Sequence, residues 1–196
     1  MRSWGSSRRN LCRIVTGATL AVLAAAALAC GRLGAVGGSD VVFPRLDSGR
    51  EQFYYAAAFD QQVKVGSSTD RADERLRSKI KAYQMVLDHF ADDQIYAPLA
   101  EVGIGNCYFR LKDHRKTIRV FQNLEERYPN YPFIHAEAEW MIGRSLENLG
   151  DNADAKRHYK RCIDTFQYNK NEEIKTIVAL CKDRYIQPSV PRRPRK

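Results

Sequence analysis

The stretch YPNYPFIHAEAEW, residues 128–140, sets two prolines around Asn130 and Tyr131 and then runs into an alanine- and glutamate-rich segment. Proline has no amide hydrogen and pushes the residue before it out of the helical region. Pro129 and Pro132 therefore end one helix and delimit a short turn before the next. The hairpin so formed recurs. Sliding the chain by about 38 residues superposes Tyr83, Phe121 and Tyr159, then Val86, Leu124 and Cys162, then Phe90, Tyr128 and Phe166. The same slide pairs Gly105 with Gly143, Tyr108 with Leu146, Leu111 with Leu149, Asp113 with Asp151, and Thr117 with Ala155. It lapses where Ile80 and Ile118 give way to Lys156, and where Pro129 gives way to Gln167.

Working outward, the folded region spans 48–187, enough for one domain with a continuous core. Ser48 and Glu51 have the spacing of a capping box, and Phe53, Ala56, Ala57 and Phe59 supply the apolar side of a first helix that breaks at 66–69. A second helix, over 70–91, places Leu76, Ile80, Tyr83, Val86, Leu87 and Phe90 on one stripe. Further hairpins are predicted from 95–111 with 113–128 and from 134–149 with 151–166. In both, an aspartate, Asp113 or Asp151, is placed to accept the unpaired amides of the second arm. A last helix over 172–185 carries Ile174, Ile177, Val178, Cys181 and Tyr185 and covers the end of the stack, as a terminal unit must. The expectation is an all-α solenoid of about three hairpins (48–92, 95–130 and 133–168) with a capping helix at 171–186.

Charge is concentrated at the ends. Of the net +9, Arg2, Arg8, Arg9 and Arg13 supply four and Arg192, Arg193, Arg195 and Lys196 another four, so the body is nearly neutral. It offers no basic face of the kind nucleic-acid binders use. The basic start followed by the apolar run IVTGATLAVLAAAALA at 14–29 reads as an export signal, residues 1–29, and is short for a membrane span. Its end, AALAC, resembles the lipobox of bacterial lipoproteins, which implies acylation of Cys30; cleavage by an ordinary signal peptidase after Ala29 is the alternative. SRRNLCR at 7–13 also resembles a twin-arginine export motif, and Gly31 resembles the residue that sends lipoproteins on to the outer membrane. Residues 30–47 read as a glycine-rich tether, with packing of Val41, Val42 and Phe43 against the first helix as the other reading. The basic, proline-rich 188–196 reads as a disordered tail.

Catalytic and metal chemistry find little support. His89, His114, His135 and His158 are scattered without ligand spacing, no Cys-x-x-Cys occurs, and GIGNC at 103–107 lies inside a helical repeat rather than after a strand. No catalytic residue, metal, cofactor or small-molecule substrate is assigned. Cys107, Cys162 and Cys181 fall on apolar stripes, consistent with buried reduced thiols or with one disulfide and one thiol left over.

Gly105, Tyr108, Phe121 and Pro129, matched again by Gly143, Ala155 and Tyr159, fall at the spacing of the tetratricopeptide repeat (TPR), and the chain resembles that family over roughly 48–167. The extended period and the turn RYPNYPFIHAEAEW resemble the envelope TPR lipoproteins of bacteria. That group includes the lipoprotein of the outer-membrane β-barrel assembly (BAM) machinery and the cell-division coordinator that accompanies the Tol-Pal system. The resemblance implies a non-catalytic scaffold, lipid-anchored to the outer membrane and facing the periplasm, that binds proteins or extended peptides. The alternative is an obligate subunit of a larger envelope complex. The family's inward positions fall here on Leu99, Val102, Asn106, Phe109 and Arg110, and on Glu137, Trp140, Arg144, Glu147 and Asn148. Trp140 and Phe109 would grip apolar side chains, and Asn106 and Arg144 would bond a backbone or a carboxylate. The carboxylate-clamp subtype requires lysine where Val102 and Trp140 stand, and is not assigned.

Overall fold

The computed structural model describes residues 43–62 and 69–186, with side chains over 43–59 and 72–186. The export signal, Cys30, most of the tether, the break at 63–68 and the basic tail lie outside the described residues. Within them the chain forms seven helices and no strand: α1 (Gly49–Gln62), α2 (Thr69–His89), α3 (Tyr96–Arg110), α4 (His114–Arg127), α5 (Pro132–Leu149), α6 (Asn152–Phe166) and α7 (Glu172–Ile186). The all-α solenoid of three hairpins with a closing helix, expected from the 38-residue slide, is the fold.

Local chemistry accounts for where the helices begin. Glu51 N donates to Ser48 Oγ at 3.2 Å to open α1, and Lys116 N donates to Asp113 Oδ1 at 3.2 Å to open α4. The expected cap at Asp151 does not form. Negative charge at the start of α6 comes instead from Asp154 in its first turn, paired with Arg157. Two caps went unread in the sequence. Asp93 Oδ1 accepts from Ile95 N and Tyr96 N at 3.0 and 2.9 Å, and Asn171 Oδ1 accepts from Glu173 N and Ile174 N at 2.8 and 3.1 Å. Pro132 occupies the first turn of α5, where its missing amide costs nothing.

The two tight turns inside hairpins are built alike. After α5, Gly150 takes φ 86°, with Gly150 N donating to Glu147 O at 2.9 Å and Asp151 N to Leu146 O at 2.8 Å. After α3, Lys112 takes φ 61°, with Lys112 N donating to Phe109 O and Asp113 N to Tyr108 O, both at 3.0 Å. Each is a Schellman-type stop whose left-handed residue suits glycine. Lys112 adopts the same conformation with a Cβ in the way.

The helices form two rows. α1, α3, α5 and α7 each touch the next member of their own row, while α2, α4 and α6 pack against that row and, among the described residues, not on one another. α4 and α6 are amphipathic and bury single stripes: Thr117, Phe121 and Leu124 on the first, Ala155, Tyr159, Cys162 and Phe166 on the second. α3 and α5 are buried on several sides because neighbours flank them. On α3, Ala100, Ile104 and Cys107 face one core cluster while Val102 faces the other.

Close approach rests on missing side chains. A Cβ placed on Gly143 would stand 2.4 Å from the Tyr159 ring, and one on Gly105 would stand 2.6 Å from that of Phe121. Each ring therefore fills a notch in the other arm of its own hairpin. Tyr83 differs, since its notch is Gly103, at 2.6 Å, on the following hairpin; α1 contributes Ala56 to the cluster around it. Residues 43–47 are held to α1: Phe43 packs on Phe59 at 5.6 Å between ring centroids, Leu46 N donates to Gln52 Oε1 at 2.9 Å, and Gln52 Nε2 donates to Pro44 O at 3.2 Å. The described end of the segment read as a tether is thus part of the folded body, as the alternative for Phe43 had it.

Two measurements check this account. Gly143→Ala should lose about 1–3 kcal/mol in urea denaturation although alanine is the better helix former, because the new methyl collides with a fully buried ring. A gain instead would remove the notch as the reason for glycine there. Lys112→Gly should gain roughly 0.5–1 kcal/mol by relieving the left-handed turn.

Candidate functional site

The row α1, α3, α5, α7 carries the residues expected to face a partner, and the structure separates them. Asn106 and Phe109 of α3 meet Glu137, Trp140 and Arg144 of α5 in one connected group. The Arg144 guanidinium lies 4.4 Å from the centroid of the Phe109 ring and 5.2 Å from that of Trp140. Stacking of this kind orients the guanidinium plane and leaves its in-plane donors usable. Asn106 hydrogen-bonds the Glu137 carboxylate, and burial raises the Glu137 pKa above the usual carboxylate value, partly opposed by that bond and by the Arg144 charge. His114 stands edge-on to Phe109 at 5.2 Å, and burial lowers its pKa below the ordinary imidazole value, opposed by the Asp113 charge and aided by that of Arg144.

The other five positions go elsewhere. Val102 is buried in the core, and Leu99 is half-buried. Arg110 is exposed and lines a cleft with Ala72, Arg75 and Leu76 of α2, on the side of the first hairpin. Glu147 turns to the outer row and the end of the stack: Tyr159 Oη donates to its Oε2 at 2.9 Å, and Arg184 Nη1 lies 3.9 Å away. Asn148 Nδ2 donates to the carbonyl of Arg144, its own helix, at 2.8 Å. Trp140, read as a gripping residue, is 9% exposed and packs on Tyr159 with ring centroids 5.7 Å apart. Most of the indole is core, and the side chain reaches the site mainly as the floor under Arg144.

Sequence reading missed a second set of polar residues. Glu101 and Glu139 are repeat equivalents, both nearly buried. Arg127 Nη1 donates to Glu101 Oε1 at 2.6 Å, and Tyr128 Oη donates to the same atom at 3.2 Å. Glu139 is held by Arg161 Nε at 3.0 Å and by His158 Nδ1 at 2.7 Å. These carboxylates tie the two arms of each hairpin and are accounted for within the fold. The 38-residue slide carries Glu101 onto Glu139, a signal available in the sequence and left unused.

The group on α3 and α5 gathers several kinds of polar chemistry in one place. It holds a stacked cation, an amide and a carboxyl whose pKa burial raises. Trp140→Ala should cost about 3–5 kcal/mol of stability as a core truncation, whereas Arg144→Ala should cost no more than about 1 kcal/mol. Chemical denaturation of the two variants separates floor from surface, and equal losses would erase the distinction.

Comparison with known families agrees with the geometry. A sequence model of the tetratricopeptide repeat matches residues 100–131 and 137–167, which take in most of α3 with α4 and of α5 with α6. No curated protein and no solved structure matches the chain. Residues 100–131 and 137–167 are two consecutive tetratricopeptide repeats, set within an all-α, TPR-like solenoid.

Proposed function

We propose that this chain is a non-catalytic adaptor that holds proteins or extended peptides along the row α1, α3, α5 and α7 while an acylated Cys30 tethers it to a bacterial membrane. TPR repeats are protein-interaction modules, and the observation that carries the reading here is Arg144, its guanidinium laid over Phe109 and Trp140 between adjacent repeats. A cation held this way loses little freedom on meeting a carboxylate or a chain of backbone carbonyls, because its rotamer is already restricted. Asn106 and Glu137 beside it add an amide and a carboxyl able to pair with an extended backbone. The basic, apolar and small-residue run ahead of Cys30 supports export and anchoring. The resemblance to the envelope lipoproteins supports the periplasmic side of the outer membrane, with outer-membrane protein assembly as the process served. Among the described residues no helix is long and apolar enough to cross a membrane.

Crosslinking and pull-down from native membranes test both halves. Arg144→Glu should reduce partner capture about tenfold or more with helicity unchanged, since it reverses the charge that faces the ligand. Cys30→Ser should move the protein to the soluble fraction. Undiminished capture by Arg144→Glu removes the groove from the proposal, and membrane retention of Cys30→Ser removes the tether.

A further inference from the structure

Two of the three thiols buried among the described residues are neighbours. Cys162 is the third residue of the α6 stripe, Cys181 lies on the inner face of α7, and both have no exposed surface. They belong to one core cluster and hydrogen-bond each other across the α6–α7 contact. Cys107 belongs to the other cluster. α7 is the last described helix, and among the described elements it packs on α5 and α6 alone. A bond between these sulfurs would therefore fasten the end of the stack to its neighbour across the α6–α7 turn.

We propose that Cys162 and Cys181 are a redox-closed latch, reduced and packed in one state and joined as a disulfide in the other, that locks α7 onto α6. Packed, the pair is inert. The hydrogen bond that the Cys181 thiol donates to Cys162, burial, and the carboxylates of Glu139 and Glu137 all favour the protonated form of Cys181. Closure therefore proceeds through the open state, in which α7 lifts and a thiolate can form. That thiolate attacks one sulfur of a small disulfide such as oxidised glutathione, and a glutathione thiolate leaves. While α7 is still lifted, the second cysteine gives up its proton and displaces the bound glutathione as a second thiolate, and α7 then reseats with the disulfide formed. One glutathione disulfide is reduced to two thiols, two cysteine thiols are oxidised to one disulfide, and their two protons pass to the departing glutathiones. Closing a loop of this length restricts the unfolded chain, so the latched form should resist heat.

The test equilibrates the full chain with reduced and oxidised glutathione, quenches it with acid and alkylates it, then maps tryptic peptides without reduction. The expected species joins CIDTFQYNK, residues 162–170, to TIVALCK, residues 176–182, lighter by two hydrogens than the separate peptides and split by dithiothreitol. The oxidised protein should melt roughly 5–10 °C above its own reduced form, and that difference should persist in Cys107→Ala and vanish in Cys162→Ala. Each variant is compared with itself, and the wild-type peptide map decides the matter if a variant fails to fold. Recovery of Cys162 and Cys181 as free thiols or as separate glutathione adducts at an oxidising poise overturns the proposal. So does a linked form that melts no higher than the reduced one.

Discussion

The spacing of the stack depends on aromatic rings pressed into positions that have no side chain. With Phe121 over Gly105 and Tyr159 over Gly143, two helices approach until ring meets backbone, closer than any residue with a Cβ would permit. The approach then lets the rest of each stripe seal, and Leu124, Cys162 and Phe166 are buried as a result. A single unit leaves its other flank uncovered, so the next hairpin is required for stability, and α7 supplies that cover at the last one. The buried Tyr159 shows how a polar handle is kept in such a niche. Its hydroxyl donates to Glu147, and burial together with that carboxylate drives the phenol pKa far above its usual value.

Around this packing, short-range devices start and stop the helices at matching places. The left-handed residues Lys112 and Gly150 stand one repeat apart and bond in the same pattern. The buried carboxylates Glu101 and Glu139 are likewise one repeat apart, although their partners differ: Arg127 and Tyr128 for the first, Arg161 and His158 for the second. Repetition thus extends to polar ties as well as to apolar stripes. The first hairpin is the exception, since its ring at Tyr83 leans on the following unit and its start is secured by Gln52 and Phe43.

The candidate site is a by-product of this architecture. Two helices of the same row stand side by side, each packed on the helices of the other row, and their contact brings Phe109 of one repeat to Arg144 of the next. A guanidinium supported on two rings has few rotamers left to lose. The same row extends to α7, so whatever holds α7 in place also bounds the row at that end.

The sequence alone determined the class, the period and the hairpin count, because these follow from neighbour-to-neighbour chemistry: prolines at 129 and 132, apolar residues every third and fourth position, and glycines and rings that recur at one interval. Only the tertiary structure decided which side of each helix meets what. Asp113 and Asp151 look alike in sequence, yet one caps and the other does not. Of ten residues carried over as inward-facing, five form a connected group, while Val102 and most of Trp140 sink into the core and Glu147 turns to Tyr159 and Arg184. The reason is physical. α3 and α5 are flanked on several sides, so the fate of an apolar or ionisable residue on them depends on the rotation of the helix against neighbours distant in sequence, a quantity no local spacing encodes.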